Sequence, residues 1–458
     1  MKKIAIIGGG ISGLAALHFL RSRYADSCKV ILYEKEYRLG GTIGTDRISG
    51  YSSDWGPNGF LDKVPLTLKL VDELGFTDKL ERANPKSENR FIYRNGKLHA
   101  ISASPLKFLR SPLLSAAGRM RLVSEPFRKA KKDDSDESVF DFASRRIGTE
   151  AAENLIVPMV SGIFGGDSRK LSLKSCFPIM EEMEREHGSL FKAMLARKKK
   201  KGSSGGPAGP SGRLTSFQTG LYSLIEKFNE LYAEFIETGA EALRIEKTDS
   251  GFRLSLKERQ PLDFDAIICS TPSYVLPGML REMDKSLASL LDTIPYASIS
   301  VVCLGYNRND IAHDLSGFGF LIPRSEGKRL LGSIWTSSIF EGRSPDGMVQ
   351  LRSMIGGATD PEAVDLSDGA MLDLVHGELS DTLGITGKPS FVRIFKWKQG
   401  IPQFELGHPE KLAKLAQFGE KHPGLAFTGN AYDGIGLNDC VVRSDKVVSD
   451  LAKYLGIQ

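Results

Sequence analysis

The chain opens on an unbroken apolar run over residues 4–7, halts at Gly8-Gly9-Gly10, and resumes as a longer apolar stretch over residues 14–20. A short apolar run closed by glycine predicts a strand buried on both faces, and the longer stretch predicts a buried helix. A second strand is predicted over residues 30–33. From about residue 100 to 197, β-branched alternation is sparse. Periodic stretches there, such as 139–147 and 151–160, predict a helical region. In residues 202–212 ten of eleven positions are Gly, Ser or Pro, the composition of a mobile loop. Beyond it the pattern predicts a helix over 221–235, short strands over 242–245 and 252–256, and a strand over 266–270. Antiparallel strands are expected across 298–306 and 317–356, then helices over 365–383 and 440–455.

Candidate chemistry begins at the first of these junctions. Gly8, Gly10 and Gly13 stand at G-x-G-x-x-G spacing between strand and helix, and Glu34 closes the next strand. This is the pattern of a dinucleotide-binding βαβ unit. Gly8 permits the tight turn, Gly10 lets backbone approach a pyrophosphate, and Gly13 lets helix and strand pack closely. Gly9, Ile11, Ser12 and Leu14 complete the turn and the helix start, whose free N–H groups and positive dipole end suit phosphate. Glu34, with Lys35 beside it, can accept hydrogen bonds from ribose hydroxyls. Arg38-Leu39-Gly40-Gly41-Thr42 follows directly, an element that simple NAD dehydrogenases do not require. It is similar to the second half of the FAD fingerprint in amine-oxidase-like flavoproteins, where this loop folds back over the pyrophosphate. Near the other terminus, Gly429-Asn430 and Gly434-Ile435-Gly436-Leu437 open the last helix. Those glycines allow a flat ring to lie against backbone, and the helix N-terminus can stabilise charge on the N1–C2=O edge of a reduced flavin.

Head, tail and the 266–270 strand thus form one Rossmann-like domain built from three segments, 1–84, 213–275 and 405–458. An antiparallel-sheet substrate domain (85–100 and 276–404) and a helical, membrane-facing domain (101–212) are inserted, giving an α/β plus α+β chain.

Composition narrows the remaining options. With 458 residues, 41% hydrophobic and 26% charged, the chain suits a globular protein of two or three domains, and a net charge of +5 is modest. Five scattered cysteines without C-x-x-C argue for a reducing compartment and against a disulfide scaffold or a zinc site. The first strand starts at once, so the expectation is no leader peptide and a place on the cytoplasmic side, and no 18-residue apolar run exists. Residues 101–132 carry eight Lys/Arg and one acid, Glu125, interleaved with leucines. That mixture suits a peripheral membrane surface, and equally a solvated helical face. Lys198–Lys201 lacks interleaved aromatics, so nucleic acid is not expected. The G-x-S-x-G match at 202–206 lies in the glycine-rich loop, H-E-x-x-H is missing, and His187 and His408 stand alone, so neither hydrolytic nor metal chemistry is expected.

Further motifs are Asp54-Trp-Gly56-Pro57-Asn58-Gly59-Phe, Asn89-Arg90-Phe-Ile-Tyr93, Pro158-Met-Val-Ser-Gly162-Ile-Phe-Gly-Gly-Asp167 and Met183-Glu-Arg-Glu-His187-Gly-Ser. Phe318-Gly-Phe-Leu321-Ile-Pro, Ile355-Gly-Gly357 and Gly429-Asn-Ala-Tyr-Asp-Gly-Ile-Gly-Leu437 extend the set. With them the chain resembles, nearly end to end, the flavin-dependent protoporphyrinogen and coproporphyrinogen oxidases of haem biosynthesis. The resemblance implies a six-electron oxidation of a porphyrinogen, FAD accepting hydride at N5 and oxygen reoxidising it. Carried over position by position, Arg90 is similar to an arginine that pairs with a substrate propionate, a role its bidentate fork suits; a surface arginine between strands is the alternative. Leu321 and Ile334 match apolar residues that sandwich a pyrrole. Met354 stands where plant members carry an aromatic ring, and Gly162 matches a glycine whose backbone approaches the macrocycle. Gly56, Pro57, Asn58 and Gly59 are implied to line the cofactor, as are Trp397 and Ala242, the latter replacing a common valine. Coproporphyrinogen-oxidising members from Gram-positive bacteria carry a lysine where Val64 stands and tend to lack an arginine at the Arg90 position. Both departures favour protoporphyrinogen IX over coproporphyrinogen III. An amine oxidase, a carotenoid desaturase or a non-redox flavoprotein on the same scaffold are the other readings. Implied partners are a porphyrinogen, oxygen and a membrane surface, and a homodimer or a hand-off to ferrochelatase is compatible with them. No residue is identified as the catalytic proton acceptor.

Overall fold

The computed structural model describes residues 1–102, 111–200 and 212–458. Residues 202–211 of the glycine-rich stretch, and Leu106, Phe108 and Leu109 of the basic segment, lie outside the described residues.

At the centre is a five-stranded, wholly parallel sheet in the order Ile236–Thr238, Cys28–Glu34, Lys2–Ile7, Ala266–Cys269, Leu425–Phe427. Its strands come from the head, the middle and the tail of the chain. Both faces are covered, which explains the unbroken apolar runs. Ile4, Ile6 and Leu32 pack against the helices Ile11–Tyr24, Tyr222–Tyr232 and Leu437–Leu455. Ala5, Ile7 and Tyr33 face a three-stranded sheet, Ala242–Thr248, Gly251–Leu256 and Leu262–Phe264. Helix Ile11–Tyr24 is buried over Ile11–Leu20 because it lies between sheet and neighbouring helices. His18 within it is held between Tyr232 Oη at 2.7 Å and a Glu73 carboxylate oxygen at 2.8 Å, a satisfied core histidine.

The second sheet has seven strands in the order Phe391–Pro402, Tyr296–Asn307, Met348–Gly356, Leu330–Trp335, Gly319–Leu321, Arg90–Arg94, Lys97–Ala100. It is mixed rather than antiparallel, because Gly319–Leu321 pairs in parallel with Arg90–Arg94. The early hairpin 90–100 is added from a distant part of the chain, which fixes its direction independently of its neighbours. One face of this sheet is sealed by Met371, Val375, Leu379 and Leu383 of helix Asp368–Leu383. The other face turns toward the hairpin Thr45–Ile48/Tyr51–Asp54, where Tyr51 stacks on Phe391 at 4.2 Å.

The intervening region is helical, as its periodicity suggests, but the stretch expected as one helix over 151–160 contains a π-helical turn at Ala152–Ile156 before Val157–Phe164. Its core is a buried ion cluster. Arg146 and Glu125 are both 0% exposed and ion-paired, and Glu125 also accepts from Ser189 Oγ at 2.6 Å and Leu190 N–H at 2.9 Å. Glu184 of the Met183–Ser189 motif bridges Arg145 at 2.7 Å and Arg146 at 3.1 Å. That motif is therefore structural. Burial decides how this region presents its charge: the single acid of residues 101–132 is withdrawn from the surface.

Candidate active site

The nucleotide half of the site sits at the C-terminal ends of the parallel strands. Gly8 has φ +107°, and an added Cβ at Gly13 would fall 2.0 Å from Gly8 O and 2.6 Å from Ser270 Oγ. Helix and strand thus meet as closely as the fingerprint requires. Ser270, not anticipated from the sequence, locks the turn by donating to Ile7 O at 2.9 Å and Gly8 O at 2.8 Å. Its only signal is its place at the end of the 266–269 strand. At Gly10, by contrast, an added Cβ would meet nothing within 4 Å. That opening is where the backbone can receive phosphate. Ile11, Ser12 and Leu14 begin the helix behind it. One oxygen of Glu34 accepts Gly9 N–H at 2.6 Å and the other accepts Glu36 N–H at 2.9 Å. These bonds orient the carboxylate and leave further lone pairs for hydroxyl donors.

The loop after Glu34 folds back beside the turn. Gly40 N–H donates to Gly9 O at 2.8 Å, and Gly41 lies with its Cβ position 3.7 Å from Gly10 Cα. Arg38 holds this loop: its guanidinium donates to Leu39 O, Ile43 O and Gly41 O at 2.9, 2.8 and 2.6 Å and lies 4.4 Å above the Trp55 ring. Thr42 is exposed, with its carbonyl against Gly56, and Gly59 packs on Thr215 O. Lys35 is exposed and pairs with Glu36 at 3.5 Å, while Ala242 begins the three-stranded sheet just beyond Ala240, whose N–H donates to Glu34 O.

The tail closes the site. Gly429 and Asn430 follow strand Leu425–Phe427, and the last helix begins at Leu437, three residues before the expected start. Gly436 is its N-cap, and Asp439 accepts Gly436 N–H at 3.0 Å. Ser444 ties this helix to the first by donating to Ser12 O at 2.9 Å. Ile435 packs on Val160 and Phe164 of the helical region. Two buried polar atoms here have no partner: Asn58 Nδ2, beside Pro57, and Asn438 Oδ1, whose amide nitrogen donates to Leu61 O at 2.9 Å. The glycines beside them are closely packed, Gly434 against Asp439 and Gly56 against Thr42 O, but orphaned buried donors and acceptors are what a heteroaromatic ring with polar edges would satisfy. The residues fit a flavin.

The second half of the site is the face of the seven-stranded sheet turned away from helix Asp368–Leu383. Leu321 pairs with Gly332, Gly332 with Met354, and Ile334 with Arg352, so Leu321, Ile334, Met354 and Arg352 share that face. Arg90 joins them, since Phe91 and Tyr93 belong to the opposite, helix-covered face. Its guanidinium lies 5.2 Å from the Phe318 ring, and among the described residues it has no carboxylate partner. Gly162 comes from the helical region, with its Cβ position 2.6 Å from Leu321 Cδ2. Trp397 donates its indole N–H to Trp55 O at 3.2 Å, joining sheet to cofactor segment. Val64 caps helix Pro65–Glu73. The structure therefore brings Arg90, Leu321, Ile334 and Met354 onto one sheet face, the slot face, with Gly162 of the helical region packed against Leu321.

Cysteine chemistry has no place in it. Burial pushes the thiols of Cys176, Cys269 and Cys303 up to about 12 and that of Cys440 up to about 11, so they stay protonated. Among the described residues no group of three or more His, Cys, Asp or Glu side chains is placed to hold a metal ion.

A dinucleotide cradle on a parallel sheet, facing an apolar slot on a second sheet, defines a flavin-dependent oxidoreductase. Comparison with known proteins agrees: residues 11–450 match the family model described as flavin containing amine oxidoreductase, and the chain belongs to that family. It is 30% identical over 99% of its length to coproporphyrinogen III oxidase of Bacillus subtilis (strain 168), covering 98% of that protein. It is 32% identical to protoporphyrinogen oxidase of Bos taurus, covering 96% of each chain. A crystal structure of a provisionally named protoporphyrinogen oxidase from Exiguobacterium sp. 255-15 superposes with a TM-score of 0.85 at 24% identity, over 98% of both chains, and shows the shared fold.

Proposed function

We propose that this protein removes six electrons from protoporphyrinogen IX to give protoporphyrin IX, with FAD as the immediate acceptor and oxygen reoxidising it. The observation that carries the reading is one sheet face: three apolar side chains, Leu321, Ile334 and Met354, and an arginine, Arg90, with no ion pair among the described residues. A large apolar macrocycle with propionates needs those two things. FAD, when bound, supplies the hydride acceptor. The chain supplies the rest. Leu321 and Gly162 present a flat apolar wall, Arg90 receives a carboxylate, and the packed sheet excludes water. Aromatisation drives the reaction, so a propionate or solvent suffices to take the proton after each hydride is lost. Within this reading, residues 1–84, 213–275 and 405–458 bind FAD, residues 85–100 and 276–404 hold substrate, and 101–212 form the helical part.

The helical part also supports a peripheral membrane contact. Met120, Val123 and Phe127 are 70%, 54% and 88% exposed, while Glu125 beside them is buried in its pair with Arg146. An apolar patch flanked by Arg119, Arg128, Lys129 and Lys132 suits an anionic bilayer surface, with Lys131 paired to the exposed Asp133 at its edge. No helix among the described residues is long and apolar enough to cross a membrane.

The test is aerobic turnover of the FAD-loaded protein with protoporphyrinogen IX and with coproporphyrinogen III, followed by porphyrin fluorescence, alongside Arg90→Ala. Conversion of the first substrate, weakened in the variant mainly through KM, is expected. Preference for coproporphyrinogen would reassign the substrate, and no oxidation of either would remove the reading.

A further inference from the structure

Arg352 lies in the middle of strand Met348–Gly356, on the slot face, and is 4% exposed. Its Nε donates to Asp54 O at 3.4 Å, and a terminal nitrogen donates to Gly56 O. Among the described residues no carboxylate forms an ion pair with it. The nearest, that of Asp54, is already committed: it accepts from Thr45 Oγ1 at 2.6 Å and Leu221 N–H at 3.0 Å and is paired with Arg343 at 3.2 Å. Arg343 is 0% exposed and Asp54 2%. Arg343 is thus served by two acids, Asp54 in direct contact and Glu81 at longer range, whereas Arg352 makes no ion pair of its own among the described residues.

Burial pushes the pKa of Arg352 down, but an arginine keeps its proton inside a protein. A guanidinium buried without an ion-pair partner is unfavourable unless an anion arrives. A clamp on two carbonyls does not need a charge. Gln350, two residues earlier on the same face, performs a neutral version of that task by donating to Ser53 Oγ at 2.8 Å. Arg38, which lies over Trp55 of this segment, is partly exposed and therefore solvated. Arg352 is the guanidinium on this sheet face that is both buried and without a counterion.

The carbonyls it holds belong to the segment facing the slot. Hydride transfer from a neutral donor carries two electrons and one proton, so it adds one negative charge to the cofactor. The donor, left cationic, then releases a proton to solvent. We propose that Arg352 is the positioning residue that balances this arriving charge, and that it thereby raises the reduction potential of the bound flavin. The proposal rests on flavin binding and is independent of which porphyrinogen is oxidised.

The test is an anaerobic, dye-coupled reduction of the FAD-loaded native protein, Arg352→Gln, Arg352→Lys and Gln350→Glu. Arg352→Gln is expected to lower the two-electron equilibrium constant at least tenfold, ~30 mV. Arg352→Lys, which keeps the charge, is expected to stay within threefold of native. Gln350→Glu leaves Arg352 in place but adds a carboxylate on its face, and is expected to move the potential the same way as Arg352→Gln. It decides the matter should Arg352→Gln fail to retain FAD. A potential within threefold of native in both charge-altering variants overturns the proposal, as does a tenfold fall in Arg352→Lys. Porphyrinogen turnover is read separately, so loss of the substrate reading leaves this result standing.

Discussion

Gly13→Ala is the smallest change that tests the nucleotide cradle. The new methyl carbon would stand 2.0 Å from Gly8 O and 3.2 Å from Gly8 C, both backbone, and 2.6 Å from Ser270 Oγ. Ordinary contact begins near 3.4 Å, so the helix start must retreat by about 1.4 Å from the glycine turn. No side-chain rotation relieves a clash with a carbonyl. Overpacking of this kind costs ~1–3 kcal/mol of stability. The ligand loses more, because the same retreat carries the helix N–H groups beyond hydrogen-bonding distance of a phosphate. Two charge-assisted hydrogen bonds at ~1.5–3 kcal/mol each are at risk, and 3 kcal/mol is roughly a hundredfold in affinity. The assay is titration of the apoprotein with FAD, followed by quenching of flavin fluorescence, with circular dichroism to confirm the fold. Ser270→Ala, which removes two bonds to the turn but adds no bulk, is expected to weaken binding less. A folded Gly13→Ala protein that binds FAD within threefold of native would refute both the packing argument and the placement of the pyrophosphate.

Three further outcomes follow from the same geometry. Glu125→Ala leaves the fully buried Arg146 with Glu184 alone, which Arg145 shares, and is expected to cost up to about 3–5 kcal/mol, read as a lowered thermal midpoint, whereas porphyrinogen KM in the surviving folded protein stays near native. Gly162→Val pushes into Leu321 Cδ2, already 2.6 Å from the Cβ position, and is expected to raise KM about tenfold while the bound-flavin spectrum is unchanged. Burial opposes ionisation of Asp284, but hydrogen bonds from Lys421, His422 and Leu287 N–H outweigh it and hold its carboxyl below the ordinary range. A depressed carboxyl stabilises the fold above its unfolded pKa near 3.8, and that contribution is lost as pH falls through the lower folded value. Asp284→Asn should therefore be less stable than native at pH 7 and show a flatter decline in acid unfolding below pH ~4; parallel acid curves would contradict it.

The sequence by itself determined the nucleotide half of the site. Gly8, Gly10, Gly13 and Glu34 lie within one βαβ unit, where spacing along the chain is spacing in space, so strand period and turn chemistry place them. The apolar wrapping of residues 14–20 announced a helix covered on all sides, and the helix lies buried between sheet and neighbouring helices. Legibility fell where contacts became long-range. Arg90, Gly162, Leu321, Ile334 and Met354 could be named only by likeness to other proteins, because what joins them is the register of a mixed sheet and the approach of a separate helix. Nothing local requires Gly319–Leu321 to run parallel to Arg90–Arg94. Ser270 carried no motif of its own. Charge was read least well of all: counting along the chain set Glu125 among the cations of 101–132 without showing its burial and left Arg352 unremarked, yet both are buried. Burial belongs to the whole packed molecule, and only the tertiary structure decided which charges meet water and which must find each other.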